Sequence, residues 1–466
     1  MLIEEVSESE DEGGTTPASE KTITSLLSDQ SHIENTLSLE LRHQALELVK
    51  SIEVSTSDLS KLPETLLALL TQIIKPLFSK STTTKLTSTG RKKLGTNTSL
   101  PDSITRFSDG SLWGDDDHRP LWKNGWTPTL LIYILRSYHE ISDQALRKKT
   151  LEDQFYLLIP AILHQLDDAE IQYKCDGCRC LQSLCEILRD AQSMILKRSG
   201  LTDVFIDALK NDFSLFPTLT PEEESLQLYQ TLYPAYRALV QARFHVVKQE
   251  NHVGGLEEDS RQKYLTLLLR HSLLHSLSHL FTGSGLGSTT SVKLSTFFIS
   301  QLSWLISDIG LAFVVHLQYI LPLLRNVLMD PFGTTSPELL LFSVKACQKV
   351  VEVCRPRIKE RWWGEVLRGV VGCWVNVVDE MGDLKDTKIR HGLEDVMKEL
   401  KMLAHLLEDV VGEDFADAKR VLLVEEPELQ GLFDGNLSKT KTTEQNKIPP
   451  TGIRSSNASE SPLPEL

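Results

Sequence analysis

Residues Leu157 to Leu188 read LLIPAILHQLDDAEIQYKCDGCRCLQSLCEIL, and this stretch predicts the fold. An apolar helix with an internal proline, Pro160, runs into a tight acidic turn at Asp167 and Asp168, after which a second amphipathic helix begins. A helix, a turn and a returning helix form the unit of a HEAT repeat, whose period is about 40–47 residues. Each such pair is apolar on two sides and must stack on its neighbours to bury both sides.

The same helical character extends outward from this stretch in both directions. No segment between Gln30 and Gly431 alternates polar and apolar residues in the manner of a strand. Three hydroxyl–proline pairs mark helix starts, with the hydroxyl expected at the N-cap and the proline at the first helical position. These pairs are Thr127-Pro128, Thr220-Pro221 and Ser336-Pro337. We therefore predict an all-α fold, a HEAT-like α-solenoid of stacked antiparallel helix pairs.

Composition divides the chain into five segments. They are a disordered acidic tail over 1–35, an N-terminal helical pair over 36–78, a flexible basic linker over 79–112, the helical solenoid over 113–432 and a disordered tail over 433–466. In the acidic tail, Ser7 and Ser9 are each followed by acidic residues, a pattern typical of sites for acidophilic kinases. We predict both serines as possible phosphorylation sites, since a phosphate would add charge to a tail that folds no core.

Charge and cysteine content narrow the classes of partner. The net charge is −15, which disfavours binding to phosphate backbones by bulk charge, so no nucleic-acid partner is expected. The start of the chain lacks a secretory signal, and its apolar runs are too interrupted for the roughly 18–20 residues of a membrane span, so no membrane partner is expected. Seven cysteines without such a signal indicate reduced thiols and a cytoplasmic and nuclear protein.

Four of the cysteines, Cys175, Cys178, Cys180 and Cys185, are closely spaced and raise the question of a metal or redox site. A C-x2-C spacing suits a metal-binding turn. On one helix, however, Cys175, Cys178 and Cys185 share a stripe while Cys180 falls on the opposite side, so one metal cannot reach all four thiols. We expect small buried hydrophobic side chains here, and no metal or other cofactor.

Three tryptophans lie on one predicted helix between Arg357 and Glu380, which is apolar over more than half of its circumference. Such a helix is covered on both sides, either by adjacent repeats or by a partner protein. Large aromatic side chains are common anchors of interfaces. We predict that the region 291–432 docks a partner and that one face of this helix makes the contact. The residues of that face are Trp363, Leu367, Trp374 and Val378.

Several stretches resemble the Tel-two-interacting protein two family. They run from Arg119 to Lys123, through 157–188, and over 199–209 and 219–226. The most recognisable parts are the tract from Leu166 to Cys178 and the block TPEEESL that begins at Thr220.

The resemblance implies a non-catalytic scaffold or adaptor subunit of the Triple T complex, whose partners are the two larger helical solenoid subunits of that assembly. It also implies work with the Hsp-ninety chaperone and the R-two-TP machinery in the folding, assembly and stability of phosphatidylinositol-kinase-related protein kinases, which would be the clients. Two alternatives from other classes stay open. One is a transport adaptor of the importin or exportin type, and the other is a metal or redox enzyme that uses Cys175, Cys178, Cys180 and Cys185.

Overall fold

A computed structural model describes residues 23, 27, 36–54, 61–79, 120–216, 220–245, 254–282, 291–383 and 386–434. These residues form helices and contain no strand, which confirms the predicted all-α solenoid. The predicted linker, apart from Ser79, and the C-terminal tail beyond residue 434 lie outside the described residues. The acidic tail does too, except for Ile23 and Leu27, which are helical and buried.

The helices follow one another along the chain. The N-terminal helices are α1 (Thr36–Val54), α2 (Leu62–Ala68) and α3 (Lys75–Ser79), and a π-helical stretch, Leu69–Ile74, joins the last two. Next come α4 (Thr127–Ser137), α5 (Gln144–Leu166), α6 (Ile171–Asp190), α7 (Ile195–Ser199), α8 (Leu201–Lys210) and α9 (Glu222–Arg243). Then follow α10 (Gly254–Leu268), α11 (His275–Thr282), α12 (Val292–Ile309), α13 (Leu317–Leu328) and α14 (Pro337–Val353). The last are α15 (Arg355–Arg357), α16 (Trp363–Asp383), α17 (Thr387–Val411), α18 (Glu413–Glu425) and α19 (Gln430–Phe433).

These helices stack in two layers. One layer, called the ladder layer below, consists of α4, α6, α9, α12, α14 and α17, each packed on the next. The second layer contains α5, α8, the α10–α11 unit, α13 and α16, which lie against it. Each helix pair places one helix in each layer, and successive pairs stack on one another. The apolar side of each pair is therefore covered by the following pair.

The pair α5–α6 shows why the chain folds back at this point. The Asp143 side chain caps α5 by accepting a hydrogen bond from the Ala145 amide at 3.0 Å. At the crossing of the two helices, Gly177 lies so close to α5 that a Cβ there would come within 2.9 Å of the Leu166 backbone nitrogen. Only glycine fits this approach without displacing the backbone of α5.

The three hydroxyl–proline pairs lie at helix starts, but the predicted hydroxyl caps were wrong. The helices begin at Thr127, Glu222 and Pro337, and none of the three hydroxyls makes a capping hydrogen bond. At the start of α4, the Asn124 side chain caps instead, because its Oδ1 accepts from the amides of Trp126 at 3.2 Å and Thr127 at 2.7 Å. The amide oxygen of Asn124, which lies before the helix, accepts from the free N–H groups at its start. The hydroxyl of Thr127 does not.

Candidate protein-interaction surface

The four cysteines of α6 are all buried thiols. Cys180 lies beside the Gln165 side chain of α5, with 3.7 Å between its Sγ and Oε1 of the amide. Burial raises the pKa of Cys175, Cys178, Cys180 and Cys185, so these thiols stay protonated at neutral pH. Metal ligation and thiol redox chemistry need the thiolate. The described residues also contain no group of three or more His, Cys, Asp or Glu side chains placed to hold a metal. The four buried thiols fit a role in packing the helix against its neighbours.

The tract that carries the family resemblance makes a structural joint. Lys123 donates to the carboxylates of Asp168 and Glu170, both at 2.8 Å, and so ties the loop before α4 to the turn between α5 and α6. Trp122 stacks on Phe78 of α3 at 5.2 Å and meets Tyr173 of α6 edge-on at 5.2 Å. These side chains therefore hold three parts of the solenoid together.

A second ion pair in the same tract is more deeply buried. Lys174 donates to Asp212 at 2.7 Å and to the Leu166 carbonyl at 3.0 Å, and the carboxylate of Asp212 is only 3% exposed. Burial raises the pKa of Asp212 above its usual value, and the neighbouring Lys174 ammonium partly offsets this. One ammonium group thus joins the end of α5, the helix α6 and the 3-10 helix Asn211–Ser214.

The four residues predicted as partner contacts divide into two groups. Trp374 and Leu367 are buried, with 2% and 6% of their surface exposed. Trp363 and Val378 are half-buried at the edge of the same helix, α16. Trp374 and Leu367 are therefore not surface residues in this chain, while the docking role of all four stays a prediction.

The end of the chain itself covers Trp374. The tryptophan indole nitrogen donates to the Glu428 carbonyl at 3.4 Å, and Gly431 of α19 lies so close that a Cβ would come within 3.1 Å of the ring. The ammonium of Lys401, from α17, sits 5.5 Å from the ring centroid. The C-terminal helices thus take the place that the sequence analysis left to a repeat or a partner. The predicted phosphorylation sites, Ser7 and Ser9, lie outside the described residues.

A run of three exposed apolar side chains lies elsewhere, on the second layer. Leu311, Val315 and Tyr319 follow each other at four-residue intervals along the 3-10 helix Gly310–His316 and the start of α13. Their surfaces are 65%, 60% and 59% exposed. We call these three residues the apolar ridge. Several exposed apolar side chains in one short segment are a feature of sites of protein–protein contact.

The segment that carries the apolar ridge is almost free of charge. Between Gly310 and Met329 the one charged side chain is that of Arg325, which pairs with Glu365 of α16 at 2.6 Å. His316, beneath the ridge, is buried, and burial followed by the nearby Arg270 lowers its pKa, so the imidazole is neutral at pH 7. On a chain of net charge −15, such an uncharged stretch suits an apolar partner surface.

One stretch of the described residues, Val292–Leu328, is long and apolar enough by composition to cross a membrane. Its best window has a mean hydropathy of 1.7, and 39% of that window is buried. It is not one continuous α-helix, because α12 ends at Gly310, whose φ is +64°. The two halves pack on α14 and α16 in the solenoid, as core helices of a globular protein do.

The predicted docking region, 291–432, includes the apolar ridge, but the residues predicted to make the contact were others. That prediction rested on the large tryptophan side chains, whereas the ridge residues are more exposed than Trp363 and Trp374. A usable signal was present, since Leu311, Val315 and Tyr319 have helical spacing in a segment with no unpaired charge. That spacing alone does not distinguish a buried stripe from an exposed one.

Comparisons with known proteins place the chain in a family. The model of the Tti2 family matches residues 14–335, well over half of the chain. The match includes the joint around Lys123 and the apolar ridge, while Trp363 and Trp374 lie beyond it. Searches of curated proteins and of solved structures gave no match. Because the match spans both the residues that carried the resemblance and most of the helical stack, this chain belongs to the Tti2 family.

Proposed function

We propose that this chain is a non-catalytic scaffold subunit of the Triple T complex and that it docks one of the two larger helical solenoid subunits through the apolar ridge. The chain belongs to the Tti2 family, a family of non-enzymatic adaptors, and this membership supports its being a component of that complex. The single structural observation behind the docking site is the exposure of Leu311, Val315 and Tyr319 on a segment whose one charged side chain, Arg325, is paired.

The cellular role in this proposal follows from the family resemblance. The subunit would act as a co-chaperone adaptor with the Hsp-ninety chaperone and the R-two-TP machinery. Its clients would be phosphatidylinositol-kinase-related protein kinases, with assembly in the cytoplasm and nucleus. A stack of helix pairs suits this task, because a solenoid presents a long surface on which several proteins can be held at once. The net charge of −15 supports protein partners over nucleic acid.

Covering the apolar ridge with a partner would remove apolar surface from water. Each of its side chains leaves more than half of its surface in water. Covering apolar surface contributes roughly 25 cal/mol per Å², and tyrosine is among the residue types enriched at hot spots. The segment itself holds no unpaired charge that an apolar helix of the partner would have to desolvate, because Arg325 is already paired.

The test compares two doubly substituted chains, each co-expressed with the two larger subunits. The ridge variant carries Val315→Asp and Tyr319→Asp. The control carries Val421→Asp and Tyr156→Asp, at positions on other helices that are 58% and 67% exposed, close to the ridge values. We expect the ridge variant to bind the partner at least about thirtyfold more weakly, since hot-spot losses are about 2 kcal/mol or more.

Both variants should keep the helical circular dichroism signal and the melting temperature of the unsubstituted chain, because all four side chains lie on the surface. Full binding by the ridge variant would move the docking site elsewhere, with Trp363 as the next candidate. Equal loss of binding in both variants would show that added charge, and not the ridge, controls the complex.

A further inference from the structure

A cleft on the ladder layer lies between α4 and α6. Its volume is about 340 Å³, at the lower end of the roughly 300–1,000 Å³ of ligand pockets. The floor is apolar, formed by Ile132 and Ile187. The polar walls are Arg136, His139, Arg179, Gln182, Ser183 and Glu186. The cleft belongs to the layer opposite the one that carries the apolar ridge, so both surfaces could be occupied together.

Hydrogen-bond donors dominate the polar walls. Arg136 is exposed, and among the described residues its guanidinium has no hydrogen-bond or ion-pair partner. The Ser183 hydroxyl is likewise unpartnered within the described part of the chain. Arg179 gives one nitrogen to Asp176 at 2.7 Å, which leaves its other N–H groups available. Two guanidinium groups with spare donors therefore face one small volume.

The acidic groups around the cleft are already engaged. Glu186, the one carboxylate among the lining residues, accepts a hydrogen bond from Gln182 at 2.9 Å. Asp190, just beyond the rim, lies 3.8 Å from Nδ1 of His139. An excess of donors favours an acceptor-rich ligand, and the planar fork of arginine matches the oxygens of a phosphoryl group.

We infer that this cleft binds the phosphorylated side chain of a peptide, with Arg136 and Arg179 as the anion-binding residues. A phosphoryl group offers three strong acceptor oxygens to the two guanidiniums and the Ser183 hydroxyl. The volume exceeds that of a phosphate ion alone, and Ile132, the partly exposed residue of the apolar floor, can pack against the peptide around the phosphorylated residue. Arginine clusters are a recurring means of phosphopeptide recognition.

The experiment uses the purified full chain and a pair of short peptides that differ only in phosphorylation of a central serine, in an otherwise uncharged sequence. Binding is followed by isothermal titration calorimetry at constant salt. We expect the phosphorylated peptide to bind and the unphosphorylated one to show no measurable binding. Arg136→Gln and Arg179→Gln should each weaken binding about tenfold or more, the range expected for the loss of charge-assisted hydrogen bonds.

Arg189→Gln is the control, since it removes a positive charge from α6, the helix of Arg179, at an exposed position outside the lining of the cleft where the side chain contacts Asp190 and Gln241. The control should bind within about threefold of the unsubstituted chain, because exposed charges outside the cleft are screened by salt. Thermal melts of all three variants should coincide with that of the unsubstituted chain.

Three results would overturn the inference. The first is that both peptides bind equally well, or that neither binds. The second is equal weakening by Arg189→Gln and Arg136→Gln, which would indicate bulk charge. The third is displacement of the peptide by inorganic phosphate, or by a short single-stranded oligonucleotide, at concentrations equal to that of the peptide. None of these results depends on the larger subunits, so they are independent of the test of the apolar ridge.

Discussion

At the scale of single residues, the buried pair of Lys174 and Asp212 is the most consequential interaction. Its carboxylate is 3% exposed and its lysine side chain 13% exposed, so neither partner can turn to water if the other is removed. Breaking a buried ion pair by removing one partner typically costs about 3–5 kcal/mol, because the remaining charge stays desolvated.

The first prediction follows from the raised pKa of Asp212. A carboxyl whose folded pKa lies above its unfolded value loses stability as pH rises from the unfolded to the folded pKa. Lys174→Met removes the ammonium that favours the ionised form, which raises the pKa of Asp212 further. We expect a loss of about 3–5 kcal/mol at pH 7.5 that becomes smaller toward pH 5, measured by urea unfolding at both pH values.

The matched control for this variant is the double substitution Lys174→Met with Asp212→Asn. It leaves no carboxyl to titrate at this site, so its deficit relative to the unsubstituted chain should not shrink toward pH 5, because the one Asp212 that still titrates is that of the unsubstituted chain. A deficit of Lys174→Met that grows on acidification would contradict the assignment of the effect to Asp212.

The two tryptophans of α16 give a second prediction at this scale. Trp374 is buried under Gly431 and the Glu428 carbonyl, whereas Trp363 is only half-buried. Trp374→Ala should cost about 3–5 kcal/mol of unfolding free energy, as for other large core truncations. Trp363→Ala should cost less than half of that amount. If denaturant unfolding gave similar losses of unfolding free energy for the two variants, the burial of Trp374 would not make it more important for stability than Trp363.

At the scale of helices, the crossing of α5 and α6 depends on a single glycine. A Cβ at position 177 would meet the Leu166 backbone nitrogen at 2.9 Å and the Gln165 Cβ at 3.0 Å. These contacts are made by the backbone and base of α5, which cannot move aside cheaply. The two helices can therefore pack this closely only because residue 177 has no side chain.

The third prediction tests this crossing with two substitutions of the same kind. Gly177→Ala should destabilise the chain by about 1–3 kcal/mol, because overpacking exceeds the gain in helix propensity. Gly364→Ala, at a position of α16 with nothing within 4 Å of the added Cβ, should stabilise it by up to about 1 kcal/mol. The two substitutions should shift the melting temperature in opposite directions, as measured by differential scanning calorimetry. Shifts in the same direction would contradict the packing argument.

At the scale of the whole molecule, the solenoid is closed by its own C-terminal helices. The residues of this end segment pack on α16 and α17 and bury Leu429, Leu432 and Phe433. Phe433 also meets Phe415 of α18 edge-on at 6.1 Å. A terminal repeat must hide its outer apolar side from water, and here a short segment of the same chain does so.

The fourth prediction compares two truncations of the chain. Ending the chain after residue 434 removes none of the described contacts and should leave the melting temperature unchanged. Ending it after residue 426 removes three buried side chains, worth roughly 1.5–3 kcal/mol each, and uncovers Trp374. The shorter chain should therefore melt several degrees lower and bind a hydrophobic dye. Identical melts would show that residues 427–434 do not stabilise the solenoid.

The sequence by itself determined the helical class and the turning point of the chain. Local features carry that information: the spacing of leucines, the acidic turn after Leu166 and the proline pairs mark helices without reference to the rest of the molecule. The family tract between Leu166 and Cys178 could also be recognised, and the structure gives it a packing role through Lys123 and Lys174.

Only the tertiary structure decided which apolar faces stay open. Periodicity shows that one side of a helix avoids water, but it does not show what covers that side. Trp374 is covered by residues more than fifty positions later in the chain, while Leu311, Val315 and Tyr319 have similar spacing and are left exposed. The cleft between Arg136 and Arg179 likewise joins two helices, so its surplus of donors exists only once α4 packs on α6. Burial depends on contacts between distant segments, which a pattern within one helix does not contain.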